Sequence, residues 1–254
     1  MRGILDSYGL ERYTRHILLK EIGGPGQLKL SNSRITMIGA GGLGSIALYY
    51  LVASGVGSIK IVDSDIVSLS NLQRQILFEE ADIGIKKVLA AKKNLLKLNP
   101  HIKITTLEEQ FTKENSSNVL RDSDLIIDGT DNFKSKATLC REAYKHKLPL
   151  IYGGLSQWEG QICLFDPKLP SVCFDCIYPN APTPIIEESC SDLGVIGPVV
   201  GIIGSIMAAE AIKFLTSAGL SLANHILTYD CLHAEFQKFK IEKRSNCSIC
   251  SFEK

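Results

Sequence analysis

The pattern of apolar and polar positions along the chain alternates between two periods. Residues 7–20 place Leu10, Tyr13, Ile17 and Leu18 on one side of a helical wheel, with Arg12 and Arg15 among polar neighbours, which predicts an amphipathic helix. Gly23-Gly24-Pro25-Gly26 then reads as a breaker. The β-branched run 34–38 predicts a strand leading into Gly39-Ala40-Gly41-Gly42-Leu43-Gly44, and the apolar stretch 46–52 predicts a helix. A second strand is expected at 59–62, ending at Asp63, followed by a polar loop holding Ser70-Asn71-Leu72-Gln73-Arg74. A helix over 86–98 stops at Asn99-Pro100, because the residue before proline avoids the helical region. Strands at 102–105 and 125–127 and a helix from there to about 147 continue the alternation.

Strands and helices in alternation imply right-handed crossovers and a mostly parallel sheet, hence an α/β fold with a Rossmann-like nucleotide-binding half. The second half differs. Segments 150–152, 161–165, 226–229 and 235–241 look like strands with few intervening helices, which predicts an antiparallel continuation of the same sheet. Beyond Pro198 a helix is expected, with Gly197, Gly201, Ser205 and Ala209 recurring every four residues as a close-packing stripe. No repeat or linker-like composition divides the 254 residues, so a single domain over 1–254 is expected, with 1–30 as an N-terminal helical arm.

A formal charge of +1 and 22% charged residues argue against a disordered polyampholyte and against a basic nucleic-acid binder. The N-terminus shows no secretory h-region, and the apolar stretch 195–209, broken by Pro198, reads as too short for a bilayer, so a cytoplasmic protein without a membrane partner is expected. Eight cysteines in such a chain suggest metal ligands or reactive thiols rather than a disulfide scaffold.

Gly39, Gly41 and Gly44 spell G-x-G-x-x-G between an expected strand and an expected helix. Glycines there permit a tight turn and let a phosphate reach the N–H groups at a helix start. Asp63, nineteen residues beyond Gly44, ends the next strand where a ribose hydroxyl needs an acceptor. The plain alternative is a turn that packs helix on strand. Arg15, Arg74 and Lys87 would suit a triphosphate better than a nicotinamide, although each alone reads equally as a solvated charge. Asp131, with Asn132, follows a strand at the carboxyl edge of the sheet; it is a candidate Mg²⁺ ligand or, alternatively, an Asx turn or helix cap.

Cys173-Phe174-Asp175-Cys176 and Cys247-Ser248-Ile249-Cys250 have the spacing of one closed Cys₄ zinc site, which would be structural because four thiolates leave no open position. A redox role for either pair would need a helix N-terminus, which neither is expected to have. Cys140, Cys163 and Cys231 fall in expected regular elements and read as buried hydrophobes, whereas Cys190 lies in a polar segment and is either a reactive thiol or an incidental one.

Together, Arg12-Tyr13-Thr14-Arg15, the glycine turn, Asp63-Ser64-Asp65, residues 69–75, Lys87, Asn99-Pro100, Thr130-Asp131-Asn132, residues 194–201 and both C-x-x-C pairs make the chain resemble the MoeB and ThiF adenylyltransferases, relatives of the ubiquitin-activating enzymes. The resemblance implies a homodimer using ATP and Mg²⁺ to adenylate the C-terminal Gly-Gly carboxylate of a small ubiquitin-like sulfur carrier of the ThiS or MoaD type, for thiamin or molybdopterin biosynthesis. It implies that Gly42 and Asp63 contact adenosine, Asn71, Arg74 and Lys87 the phosphates and Asp131 the Mg²⁺, with Gly39, Gly41, Gly44, Ser70, Leu72, Gln73 and Asn132 also in the nucleotide site and Arg15 reaching in from the other subunit. It leaves the use of Cys190 open. No rhodanese domain follows in this sequence, which implies a separate sulfur donor. Two other readings compete: an NAD-dependent oxidoreductase with structural zinc, and a non-catalytic zinc-pinned scaffold that docks a carrier.

Overall fold

The expected strands and helices join into one sheet flanked on both faces. The computed structural model describes residues 6–169, 171–179 and 194–251. In chain order the elements are α1 (Ser7–Arg12), α2 (Thr14–Ile17), α3 (Gly23–Asn32), β1 (Arg34–Ile38), α4 (Gly42–Ala53), β2 (Ser58–Val62), α5 (Lys87–Leu98), β3 (Lys103–Leu107), α6 (Ser116–Val119), β4 (Leu125–Asp128), α7 (Phe133–Lys145), β5 (Leu150–Ser156), β6 (Glu159–Phe165), α8 (Phe174–Ile177), α9 (Gly197–Thr216), β7 (His225–Asp230) and β8 (Glu235–Lys240).

The eight strands run in the order β3-β2-β1-β4-β5-β6-β7-β8. The first five in that order pair in parallel and the remaining pairs are antiparallel, as the change of pattern near residue 150 predicts. The order reverses between β1 and β4, the crevice where open parallel sheets place their ligands.

Alternation within the strands sorts the core into two layers. Ile35, Met37, Ile59, Ile61, Leu125 and Ile127 face α4, α5 and α9, while Ile38, Val62, Ile126, Tyr152 and Phe165 face α7, α8 and the cysteine pairs. Strand β8 lies at the sheet edge with all six residues exposed, Lys238 and Lys240 among them, charges that discourage edge-to-edge pairing.

Four expectations need correction. The helix over 7–20 is two short helices, interrupted at Tyr13, whose ring lies against Gly55 and whose hydroxyl accepts from Asn99 Nδ2 at 2.9 Å. The breaker at Gly23–Gly26 opens α3 instead, since proline is compatible with a first helical turn. The small-residue stripe is not the main packing face of α9: a side chain on Gly201 would meet nothing within 4 Å, and Ala209 is exposed. The close approach to α4 is made by Gly204, where an added Cβ would lie 2.7 Å from Ile46 Cβ. Finally, α9 spans 20 residues and is long and apolar enough to cross a membrane by length and composition; half of that stretch is buried here, so its packing, rather than a shortfall in length, places it in the core.

Candidate functional site

The glycine turn between β1 and α4 has little steric freedom. Gly39 has φ +89°, and a Cβ there would lie 2.6 Å from the Gly129 carbonyl. At Gly44 a Cβ would lie 2.1 Å from the Gly39 carbonyl oxygen, so this glycine serves helix–turn packing and does not line the cleft. Gly41 is the N-cap of α4 with no side-chain cap, leaving the first-turn N–H groups available to an anion.

Asp63 closes this turn from β2. Its Oδ2 accepts from Ala40 N at 2.7 Å and its Oδ1 from Asp65 N at 2.8 Å, so the carboxylate shapes the loop as well as bordering the cleft. Lys87, at the start of α5, is buried with its Nζ 2.9 Å from Asp65 Oδ2. Arg74 reaches the same cleft, with Nη1 donating to Ser70 O at 2.9 Å. Opposite them, past β4, the two acidic-amide neighbours divide the roles that the sequence left open: Asn132 caps α7 by accepting from Ser135 N at 2.9 Å, whereas Asp131 is exposed at the cleft wall.

The cleft, about 180 Å³, therefore brings together Gly39, Gly41, Gly42, Asp63, Arg74, Lys87, Asp131 and Asn132. Besides Gly44, the expected contacts Ser70, Asn71, Leu72 and Gln73 do not border it, and they form a short turn whose work is local. Asn71 Oδ1 accepts from Ser68 N at 3.2 Å, and Gln73 O packs against Gly197, where a Cβ would lie 2.5 Å away. The turn presents Arg74 to the cleft. Arg15 is exposed on α2 and does not reach the cleft of its own chain. Cys190 lies outside the described residues.

Two polar residues in the wall, Gln75 and Lys136, carry chemistry to which the sequence assigned no role. Gln75 is 4% exposed, and its Oε1 is buried without a hydrogen-bond partner, a group suited to a donor on a bound ligand. Lys136, one α-helical turn beyond the Asn132 cap, is buried against Asp128 with Nζ···Oδ2 at 3.1 Å. Nothing in a lone lysine at helical spacing flagged it; only its burial does.

A second cavity of about 500 Å³ adjoins the first, sharing Asp131, Lys136 and Leu155 with it. It extends over β5, β6, β7 and β8, past Tyr152, Gln161, Thr228 and Gln237. Burial pushes the Tyr152 phenol well above its ordinary range, so it stays protonated, and its oxygen accepts from Gln161 Nε2 at 3.1 Å.

The four cysteines expected to hold zinc converge. Their sulfurs all lie within 4.8 Å of one another and are buried. The separations are 3.9 Å for Cys173–Cys176, 3.5 Å for Cys173–Cys247 and 3.4 Å for Cys176–Cys250. Zn–S bonds of about 2.3 Å in a tetrahedron require sulfurs roughly 3.8 Å apart, whereas a disulfide requires about 2.05 Å, so the set fits zinc and not two disulfides. Contrary to expectation, Cys173 is the N-cap of the one-turn α8. The position does not activate it, because burial and the Cys247 contact raise its thiol well above the ordinary value. Burial also works to raise the Cys247 thiol, but backbone N–H groups of Cys250 and Ile249 prevail and bring it to about 7.

Of the other cysteines, Cys140 and Cys163 are buried and burial raises both thiols, as expected of inert core groups. Cys231 is a correction: it follows β7 and is half-buried.

Comparison with known proteins agrees with this architecture. Residues 13–249 match the model of the ThiF family. The chain is 39% identical over 248 residues to the sulfur carrier protein adenylyltransferase of Thermus thermophilus, with 96% of this chain and 92% of that one covered. It is 37% identical over 246 residues to the SAMP-activating enzyme E1 of Haloferax volcanii, covering 97% and 90%. The adenylyltransferase and sulfurtransferase MOCS3 of Culex quinquefasciatus is 37% identical over 248 residues; the match takes in 97% of this chain and 56% of that longer protein. Among solved structures, E. coli MccB with ATP superposes with a TM-score of 0.82 at 22% identity over 97% of this chain and 75% of that one, a likeness of fold.

Proposed function

The chain belongs to the ThiF family, and we propose that it adenylates the C-terminal carboxylate of a small ubiquitin-like sulfur carrier at the cleft between β1 and β4, consuming ATP and releasing pyrophosphate. The observation that carries this reading is the meeting of Arg74 and Lys87 with Asp131 around a glycine turn at the sheet's reversal point. Relatives named for sulfur-carrier and molybdopterin-synthase adenylylation support the substrate class, a carrier serving thiamin or molybdopterin biosynthesis.

The chemical problem is bringing two anions together. A peptide carboxylate, with an ordinary pKa of about 3.5, is ionised at neutral pH and needs no general base. Its repulsion from a phosphate at 4 Å is about 4 kcal/mol at an effective dielectric of 20. Lys87 and Arg74 offset that repulsion, and the N–H groups opening α4 hold phosphate oxygens, so alignment and electrostatics supply the acceleration. The carboxylate oxygen bonds to the α-phosphorus as the bond to pyrophosphate breaks, leaving an acyl-adenylate. Asp131 is the residue that would hold Mg²⁺ here, and the ion would supply charge neutralisation for the phosphates. Gln75 offers its unpaired Oε1 to the nucleotide. A hydride transfer would leave Arg74 and Lys87 without work at this site, and a docking scaffold would not need the glycine turn.

The second cavity gives the carrier's tail a route to the α-phosphate. The active assembly is a homodimer in which Arg15 serves the partner's cleft: it is exposed on the arm, beside exposed Leu18 and Leu19. Zinc at the four cysteines ties the C-terminal segment to α8. The test is ATP–pyrophosphate exchange with purified ThiS-like and MoaD-like carriers, each with and without the final glycine. Exchange with an intact carrier, lost on truncation, is the expected result; exchange with none, or exchange indifferent to the tail, overturns the reading.

A further inference from the structure

The tail of the carrier must end in a carboxylate, yet the second cavity through which it would run is lined by Asp131, Glu159, Asp230 and Glu235. Lys136 is the only lysine or arginine among the described residues of that wall, and it also borders the nucleotide cleft. Arg74 and Lys87 border the cleft alone. An anion travelling between acidic walls meets its first cation at the junction.

The placement of Lys136 is built by the fold. Its Nζ donates to Asp128 Oδ2 at 3.1 Å and to the Gly153 carbonyl of β5, and sits 5.2 Å from the centre of the Tyr152 ring. Asp128 in turn accepts from Thr130 N at 3.0 Å and Thr130 Oγ1 at 2.6 Å, fixing the turn that presents Asp131. An ammonium has three N–H groups, and these contacts use two for hydrogen bonds.

We propose that Lys136 seats the terminal carboxylate of the carrier where the two cavities join, by its remaining N–H, while its bond to Asp128 holds the Thr130–Asp131 turn in register with that seat. The inference rests on the adenylation reading and adds to it the residue that receives the tail. No bond to Lys136 forms or breaks; the ammonium stays protonated and is shared between Asp128 and the incoming carboxylate. Acidic residues farther along the cavity then favour a tail whose upstream residues are neutral or basic.

The single substitution Lys136→Met strands Asp128 as an uncompensated buried charge and threatens folding. The test therefore uses Asp128→Asn/Lys136→Met, which removes both charges together and keeps an acceptor for Thr130, alongside Lys136→Arg. Thermal melting establishes folding. ATP affinity is measured without carrier, carrier affinity by fluorescence anisotropy of labelled carrier, and kcat and KM by exchange. The double variant is expected to weaken carrier binding and raise carrier KM at least tenfold, leaving ATP affinity within twofold; Lys136→Arg, which keeps the charge, holds carrier KM within about threefold. Carrier KM unchanged in the folded double variant overturns the proposal. So does a parallel loss of ATP affinity, which marks a general disturbance of the cleft, or a Lys136→Arg enzyme as impaired as the double variant. Failure of wild-type protein to exchange at all defeats the adenylation reading instead, so the two failures are told apart.

Discussion

Replacing Lys87 by methionine isolates the electrostatic role of the cleft. The side chain is 8% exposed and its partner Asp65 is 65% exposed, so the substitution keeps the buried volume and returns Asp65 to water. A pair with one member in solvent contributes at most about 1 kcal/mol to stability, which in a domain of this size shifts Tm by roughly 2–4 °C. The cost to catalysis is larger, because the charge opposes an anion–anion encounter: about 4 kcal/mol at 4 Å and dielectric 20, or 2–4 kcal/mol after allowing for solvent in the open cleft. At about 1.4 kcal/mol per decade, exchange should fall by roughly 30- to 1000-fold while melting changes little. The assay is carrier-dependent ATP–pyrophosphate exchange beside a thermal melt. A folded Lys87→Met enzyme working within threefold of wild type would refute the claim that cations at this cleft carry the rate.

Other perturbations probe separate parts of the structure. If Arg15 crosses between subunits, inactive Arg15→Ala and Arg74→Ala proteins should regain about a quarter of wild-type activity when unfolded together and reassociated, since a randomly mixed pool is half heterodimer and each heterodimer has one intact cleft; no recovery would refute the crossing. Gly201→Ala should raise helix stability by up to about 1 kcal/mol, whereas Gly204→Ala should lower Tm, because its Cβ would sit 2.7 Å from Ile46 Cβ; equal effects on melting would contradict the α4–α9 packing. Metal analysis should find one zinc per chain, and Cys247→Ser should lose it and lower Tm; an unaltered zinc content would break the four-cysteine assignment. Asp82 is fully buried, which disfavours its charged form, yet hydrogen bonds from Lys93 and Asn94 hold its carboxyl below the ordinary 3.8. A lowered folded value means that its stabilisation is present above about pH 4 and is lost as pH falls through that lowered value. Asp82→Asn should thus melt lower than wild type at pH 7, with the gap closing toward pH 3; a gap independent of pH would contradict this account.

Much of this molecule was readable from its residues in order. The strand-turn-helix at Gly39–Gly44, the parallel-to-antiparallel change near residue 150 and the joined C-x-x-C pairs all depend on local periodicity or on spacing that metal geometry constrains. The glycine turn, residues 69–75 and the cysteine pairs carry the resemblance to the ThiF family, which residues 13–249 match. What failed was local detail set by neighbours: Tyr13 interrupts a helix because it anchors on Gly55 and Asn99, and the four residues before Arg74 support the site without lining it.

Sequence by itself determined the order of elements, the strand–glycine turn–helix unit and the four cysteines that converge, because those rest on residue type and short-range spacing. Tertiary structure alone decided that Gly204 rather than the Gly201 stripe meets α4, that Gln75 keeps an unpaired acceptor in the cleft, and that Lys136 stands between two cavities. Burial and close approach are properties of pairs of distant segments, and a linear pattern gives each residue's character without its neighbours.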